Sequence, residues 1–493
     1  MTTVPPRTAG GAKDAGATFD RQTSTAAAPP PQPARPRAGG APPSDAAALD
    51  AARAALAALF GEAARRRFAV RFWDGSVDAP EDGAPRFTLV VRHAGALRRA
   101  FVPPSEMALV EAYLRDDLDV EGELAAAATL SDDVAAALRS PGAVMRVART
   151  LLALPRAEPA TDAARDDDDA HPATLHGVRR HTRGRDAAAV RYHYDVGNDF
   201  YALWLDRRMQ YSCAYFPTGG ESIDAAQEAK LEHICRKLRL ADGERLLDIG
   251  CGWGGLLEYA TTRYGVRGLG VTLSERQAAA ARERLAAAGV ADRCTIEVRD
   301  YRDVAGAIAE EGSFDKVVSV GMREHVGRAR MPEYFAAAHR LLRPGGLFLD
   351  QGITRVGSAE AARGPNLRAR VARRLWRRDE FIDRYVFPDG ELIPIGELLT
   401  DGERAGLEVR DVENLREHYA ITLQHWVRRL EARHDEAVAM VGETTYRVWR
   451  LYMSASTIGF RSGRLGLCQT LYARTHANGR AEVPATRADL YRS

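Results

Sequence analysis

Leu49, Leu56 and Leu59 share one face of a helix between Asp45 and Phe60, and Phe68, Val70 and Phe72 then alternate with Ala69, Arg71 and Trp73 at the two-residue period of a strand. Phe87 to Arg92 predicts a second short strand, and Ser105 to Leu114 predicts a helix with serine at its N-cap. Helical segments continue to about Pro155, closing a small mixed α+β domain over residues 46–157. A different rhythm follows. Strand candidates at Arg245–Gly250, Val266–Leu273, Cys294–Asp300, Phe314–Val320 and Gly346–Gly352 are each separated by a helical or loop segment. That alternation predicts a doubly wound α/β domain with a parallel sheet, within residues 176–493. Beyond Ile353, stretches rich in arginine and aromatics predict a helical extension facing the ligand.

Composition fills in the remaining segments. Residues 1–45 hold nine of the 24 prolines, including Pro29, Pro30 and Pro31, and predict a disordered tail. Residues 158–175, with four aspartates from Asp166 to Asp169, carry too much like charge to pack and predict an acidic linker. The 69 Lys+Arg and 67 Asp+Glu leave a net charge of +2, which argues against a protein that coats nucleic acid. Only Lys13, Lys230, Lys237 and Lys316 are lysines, a bias better explained by Arg-rich codons than by phosphate binding. The five cysteines form no CxxC pair and no even set, which suits a reducing cytoplasm. No apolar run is long enough to cross a bilayer and no secretory pattern opens the chain, so membrane contact is expected to be peripheral.

The sharpest local feature is Leu247-Asp248-Ile249-Gly250-Cys251-Gly252-Trp253-Gly254-Gly255, at a predicted strand-to-helix turn. Glycines there let the backbone approach a ligand outside the carboxyl ends of the strands. A dinucleotide site wants GxGxxG, whereas this loop reads Gly250-x-Gly252-x-Gly254 two residues after Asp248, the pattern of S-adenosylmethionine methyltransferases. A carboxylate at the strand end suits the methionine ammonium. The loop alone is weak, because many such matches are mere turns.

Flanking blocks add to it: His193-Tyr194-Asp195-Val196-Gly197-Asn198-Asp199-Phe200-Tyr201, Met209 to Phe216 with Tyr211-Ser212-Cys213, Val271 to Gln277, Ser319 to Gly327, and His418 to Leu423. Together they resemble the cyclopropane-fatty-acyl-phospholipid synthase and mycolic acid cyclopropane synthase family over about residues 190–473. Phe72-Trp73-Asp74-Gly75 and Asp119 to Gly122 look like the N-terminal domain of its longer bacterial members. The resemblance implies a Rossmann-like methyltransferase domain and transfer of the S-adenosylmethionine methyl to a cis double bond of an acyl chain. It places Tyr211, Ser212, Asp248, Gly250, Gly252, Trp253, Gly254, Thr272, Leu273, Ser274, Gln277, Asp300 and Tyr301 at the cofactor. An alkene is a feeble nucleophile, so a dry pocket with aromatic faces suits the developing cation, and Phe200, Tyr201, Tyr211, Tyr215 and Phe216 have the right chemistry, equally that of ordinary core.

Family members hold bicarbonate as proton acceptor, and the corresponding positions here are Cys213, Glu324, Gln351, Ile353 and Tyr419. Gln351 stands where the family has histidine. A glutamine amide can donate to the ion but cannot carry a proton near neutral pH. Cyclopropane formation is the leading expectation, with a methylene or methyl-branched product, a non-catalytic lipid- or cofactor-binding paralogue, and N- or O-methylation of a small molecule kept open. The expected partners are unsaturated phospholipid acyl chains at the inner membrane face, with no nucleic acid and with a homodimer left open. Arg363 to Arg378, six of whose arginines surround Leu367, Val371, Leu375 and Trp376, is the candidate basic amphipathic contact, though a helix packed on the protein shows the same pattern.

Overall fold

The computed structural model describes residues 45–157 apart from 82, 104, 128–129, 131–132 and 135–140, then positions 182, 184, 185 and 193, and residues 196–304, 314–356 and 379–491. The expected tail, the acidic linker and the arginine-rich stretch Arg363 to Arg378 therefore lie outside the described residues, apart from Asp45.

The N-terminal part packs the helix Asp45–Phe60 and the helix Pro141–Ala153 together beside a small sheet. Its strands are β1 (Ala69–Arg71), β2 (Val77–Asp78), β3 (Phe87–Val91) and β4 (Leu118–Gly122), in the order β2-β1-β3-β4. Leu56, Val70, Leu89 and Leu97 are almost fully buried, and the rings of Phe68 and Phe87 stack 5.0 Å apart. Ser105 caps the helix Glu106–Leu114 as its sequence predicts, accepting a hydrogen bond from the Ala108 N–H at 3.0 Å.

The larger sheet contains β5 (Arg245–Ile249), β6 (Arg267–Thr272), β7 (Cys294–Val298), β8 (Phe314–Val320), β9 (Leu342–Arg355), β10 (Glu408–Asn414) and β11 (Leu465–Ala473). Their order is β10-β11-β9-β8-β5-β6-β7. The five strands from β7 to β9 are parallel, and β11 runs antiparallel to both neighbours. Chain order reverses between β5 and β8, which opens a crevice at their carboxyl ends, the place where doubly wound sheets take ligands.

Two expectations are corrected here. The segment after Ile353 is not only helical: β10 and β11 complete the sheet. The β11 strand Leu-Gly-Leu-Cys-Gln-Thr-Leu-Tyr-Ala lies between two neighbours and is buried on both faces after its first residue, so it shows no polar-apolar alternation. The fifth strand is also longer than Gly346–Gly352, because β11 pairs with β9 from Leu347 to Arg355.

A helical layer built from Arg416–Ala432 and His434–Arg461 covers one side of the sheet and reaches the N-terminal part. The second helix breaks at Gly442, whose φ of 78° lies in the region glycine tolerates. Its Arg447 donates to the Tyr113 carbonyl at 2.9 Å and to Asp116 at 2.7 Å, while Arg450 donates to the Tyr113 hydroxyl and the Val120 carbonyl. Buried guanidiniums with several acceptors each thus join the two parts, and one apolar core runs through both.

Candidate active site

The glycine loop turns sharply after β5. Gly250, Gly252 and Gly254 have φ of 82°, 53° and 76°. A Cβ on Gly250 would sit 2.9 Å from that of Met322, so the turn requires glycine on two counts. Asn198 accepts a hydrogen bond from the Trp253 indole at 2.9 Å, which ties the early His193–Tyr201 block to the loop. Tyr201 adds a second tie, donating its hydroxyl to the His193 carbonyl at 2.9 Å.

A cleft opens at the carboxyl ends of β5, β6, β7 and β8. Tyr211, Ser212, Asp248, Gly250, Gly252, Trp253, Thr272, Leu273, Gln277, Asp300 and Tyr301 all line it. Gly254 and Ser274 do not. Gly254 is the N-cap of the helix Gly255–Tyr264 and packs on Ala281, and Ser274 caps the helix Glu275–Ala287 by accepting from the Gln277 N–H at 3.3 Å. Thr272 donates its hydroxyl to the Gln277 amide oxygen at 3.0 Å, fixing the polar wall after β6. Asp300 accepts from the backbone and side chain of Arg302, at 2.9 and 2.8 Å, so its carboxylate is already oriented.

Sequence reasoning passed over Lys230, which also lines the cleft and is 1 % exposed. Burial pulls its ammonium down to about 8, with Asp206, Cys213 and Asp248 acting in the other direction. The same burial pushes the Asp248 carboxyl up to about 7, restrained by Lys230. A basic residue on an otherwise amphipathic helix looks exposed in a sequence, so no local signal marked it.

The residues implied to hold the proton acceptor lie deeper, beside the cleft rather than in its wall. Glu324 accepts from the Ile353 N–H at 2.7 Å through one oxygen, and its other oxygen is buried without a hydrogen-bond partner among the described residues. Burial raises the Glu324 carboxyl above the usual range, against the pull of Arg323 and the Ile353 N–H. Backbone contacts bring the other residues near it. Leu467 pairs with Ile353 across the β9–β11 ladder and its carbonyl accepts from the Leu415 N–H; the Leu415 carbonyl accepts from the Tyr419 N–H and faces the Cys213 thiol at 3.7 Å. Burial holds that thiol protonated, so Cys213 contributes shape and a weak donor rather than a thiolate.

Gln351 is 1 % exposed and its amide oxygen accepts from the Gln469 amide at 2.7 Å. Half of its hydrogen-bonding side chain is thereby committed to β11. Beneath it lies an unexpected buried group. Arg323 pairs with Asp350 and donates to the Gly352 carbonyl at 2.6 Å, and Tyr334 donates to Asp350 at 2.9 Å. A Cβ on Gly352 would fall 2.7 Å from the Arg323 guanidinium, so glycine there makes room for the cation that braces Gln351 and Ile353.

The five aromatics named from the sequence part company. Phe200, Tyr201 and Tyr211 join Trp204, Trp253, Trp426 and Trp449 in one cluster with centroids 5.1–6.2 Å apart. Tyr215 instead stacks on His233 and His418, and Phe216 on His425. His193 packs face-on against Phe387, 3.9 Å away, and its Nδ1–H donates to the Val386 carbonyl. Burial lowers its pKa to about 3, helped by His325, so the ring is neutral.

The seven-stranded sheet with antiparallel β11, and the glycine cleft at its switch point, define a class I methyltransferase. Residues 181–470 match the family described as mycolic acid cyclopropane synthetase, and residues 55–133 match a domain family of unknown function, DUF7884. A probable fatty acid methyltransferase of Pseudomonas putida is 38% identical over 425 residues, 86% of this chain and 96% of that protein. The cyclopropane-fatty-acyl-phospholipid synthase of Escherichia coli strain K12 is 37% identical over 58% of this chain and 68% of its own length. Among solved structures, the mycolic acid cyclopropane synthase CmaA1 complexed with SAH and CTAB is 32% identical, with a TM-score of 0.54, covering 58% of this chain and 98% of that one. The chain belongs to the mycolic acid cyclopropane synthetase family, and S-adenosylmethionine is its methyl donor.

Proposed function

We propose that this enzyme methylates the cis double bond of an unsaturated acyl chain carried by a phospholipid, and that ring closure to a cyclopropane is the leading outcome. The observation that carries the proposal is Glu324: a carboxyl with one oxygen fixed by Ile353, which packs on the aromatic-rich core, and the other buried without a hydrogen-bond partner among the described residues. The relatives named as acting on fatty acids and fatty-acyl phospholipids supply the substrate class.

When bound, S-adenosylmethionine supplies an electrophilic sulfonium methyl. Asp248, the glycine turn, Gln277 and Asp300 hold its polar parts. The alkene π pair would form the new C–C bond as the methyl–sulfur bond breaks, the electron pair staying on sulfur and S-adenosylhomocysteine leaving, with the positive charge left on the neighbouring alkene carbon. Tyr211 and the surrounding rings face that charge without offering a lone pair basic enough to be methylated readily. Glu324 takes a proton from the transferred methyl, whose freed electron pair closes the ring; Cys213, Ile353 and Tyr419 would help it hold a bicarbonate ion, which would supply a further proton acceptor.

Gln351 favours a second outcome. Being neutral and tied to Gln469, it adds no proton carrier beside Glu324. A hydride shift to the cationic carbon followed by loss of a methyl proton then gives a methylene-branched chain. The substrate lies in a bilayer, and among the described residues no helix is long and apolar enough to cross one. We therefore place the enzyme peripherally on the cytoplasmic membrane face, with residues 363–378 as its contact.

The test is incubation of the full chain with labelled S-adenosylmethionine and vesicles of monounsaturated phosphatidylglycerol, followed by mass spectrometry of the acyl chains. Gain of one CH2 unit with ring-type fragmentation is expected. Cofactor binding without label in lipid would sink the proposal, and a terminal-methylene fragment pattern would establish the second outcome.

A further inference from the structure

The chain has three described lysines, and all three are buried. Two have carboxylate partners: Lys237 lies 3.2 Å from Asp411 and 2.5 Å from Glu413, and Lys316 lies 3.5 Å from Glu244. Lys230 has none within ion-pair distance among the described residues. Among the described residues its ammonium donates to the Gln210 amide oxygen, at 2.5 Å, and to the Ser212 hydroxyl, at 3.1 Å. Ser212 and Gln210 line the same cleft.

A buried cation held by neutral acceptors alone is costly unless an anion arrives to complete it. Asp248 shows the converse. It is 3 % exposed, lines the cleft, and receives no side-chain hydrogen bond among the described residues. The cleft thus carries an incompletely paired ammonium and an incompletely paired carboxylate. The amino-acid end of S-adenosylmethionine is a zwitterion that carries the complementary charges.

We propose that Lys230 is a cofactor-binding residue that takes the carboxylate of S-adenosylmethionine, so that Lys230 and Asp248 together recognise the zwitterion. This rests on the assignment of S-adenosylmethionine as the methyl donor. The lowered pKa of Lys230 agrees with it, since a ligand carboxylate would offset the burial and favour the charged ammonium.

Calorimetric titration with S-adenosylhomocysteine and with its decarboxylated analogue, the 3-aminopropyl thioether, tests the proposal without turnover. The wild-type chain is expected to prefer S-adenosylhomocysteine by about 10- to 100-fold, the range for a hydrogen bond between charged groups. Lys230→Met should lose most of that preference while binding the analogue nearly as well as the wild type, and Lys230→Arg should retain it. A wild-type protein that binds both compounds equally overturns the role of Lys230, and needs no variant to do so. A Lys230→Met protein that weakens both equally overturns it as well. If the wild type binds neither, the cofactor assignment itself fails, and the Lys230 role with it.

Discussion

The cofactor cleft and the corner around Glu324 adjoin each other but are built on different plans. The cleft is assembled from short blocks at the ends of consecutive parallel strands, each of which carries its polar residues within a few positions of a turn. The Glu324 corner draws on Cys213, Glu324, Ile353 and Tyr419, which are held together by backbone hydrogen bonds through Leu415 and Leu467. The cleft carries both charges, Lys230 and Asp248, and suits a zwitterion. The corner sets Glu324 beside the apolar and aromatic core that Ile353 joins, with the Arg323–Asp350 pair buried next to it, and its rings suit a short-lived cation. A site for a charged cofactor and a site for a hydrocarbon need opposite dielectric surroundings.

The strongest way to break this comparison is Glu324→Gln. Loss of the proton acceptor should lower methyl incorporation into lipid by about 10²- to 10⁴-fold, the usual contribution of general acid–base catalysis. Calorimetry should meanwhile show S-adenosylhomocysteine affinity changed less than threefold, because Glu324 does not line the cleft. A parallel loss of affinity would show that the two regions are not separate.

A smaller effect comes from pH. Burial pushes the Asp248 carboxyl up to about 7, and it meets the ligand ammonium only when ionised. A proton competes with the ligand below that value, so S-adenosylhomocysteine affinity should fall as pH drops below 7, by up to tenfold per unit for one proton. Above about 8, Lys230 loses its proton and affinity should fall again. Titrations from pH 5.5 to 9 give a bell if both groups bind, and Asp248→Asn should remove the acid limb. A flat profile would mean that neither charge meets the cofactor.

The smallest expected change sharpens the corner itself. Gln351→His removes the hydrogen bond from Gln469 and should cost about 1 kcal/mol in denaturant unfolding. It also adds a proton carrier beside Glu324, so the fraction of ring product should rise. An unchanged ratio of ring to methylene, read by mass fragmentation, would show that position 351 does not touch the proton-transfer step.

Legibility in the sequence follows the same division. The glycine loop, Thr272-Leu273-Ser274 and Asp300-Tyr301 were readable because a strand end, a turn and a cap each have local signatures. Lys230 left no such trace, standing 18 positions before Asp248 on a helix whose charged residues look solvated until the fold buries them. Arg323, Asp350 and Gly352 were equally silent, since an ion pair across 27 residues has no spacing rule. The strand β11 was missed because Gln469 and Thr470 interrupt its apolar run, and only burial between β9 and β10 explains them.

The strand-helix alternation, the glycine turn and the strand-end residues of the cofactor wall are legible in the sequence. These depend on backbone propensities and contacts within a few positions, and are written where they act. Only the tertiary structure shows that Gln351 is half committed to Gln469, that Glu324 has one oxygen without a partner among the described residues, and that Lys230 lines the same cleft as Asp248. Each of those facts is a matter of which distant groups share a buried volume, and desolvation acts on that volume rather than on the order of residues along the chain.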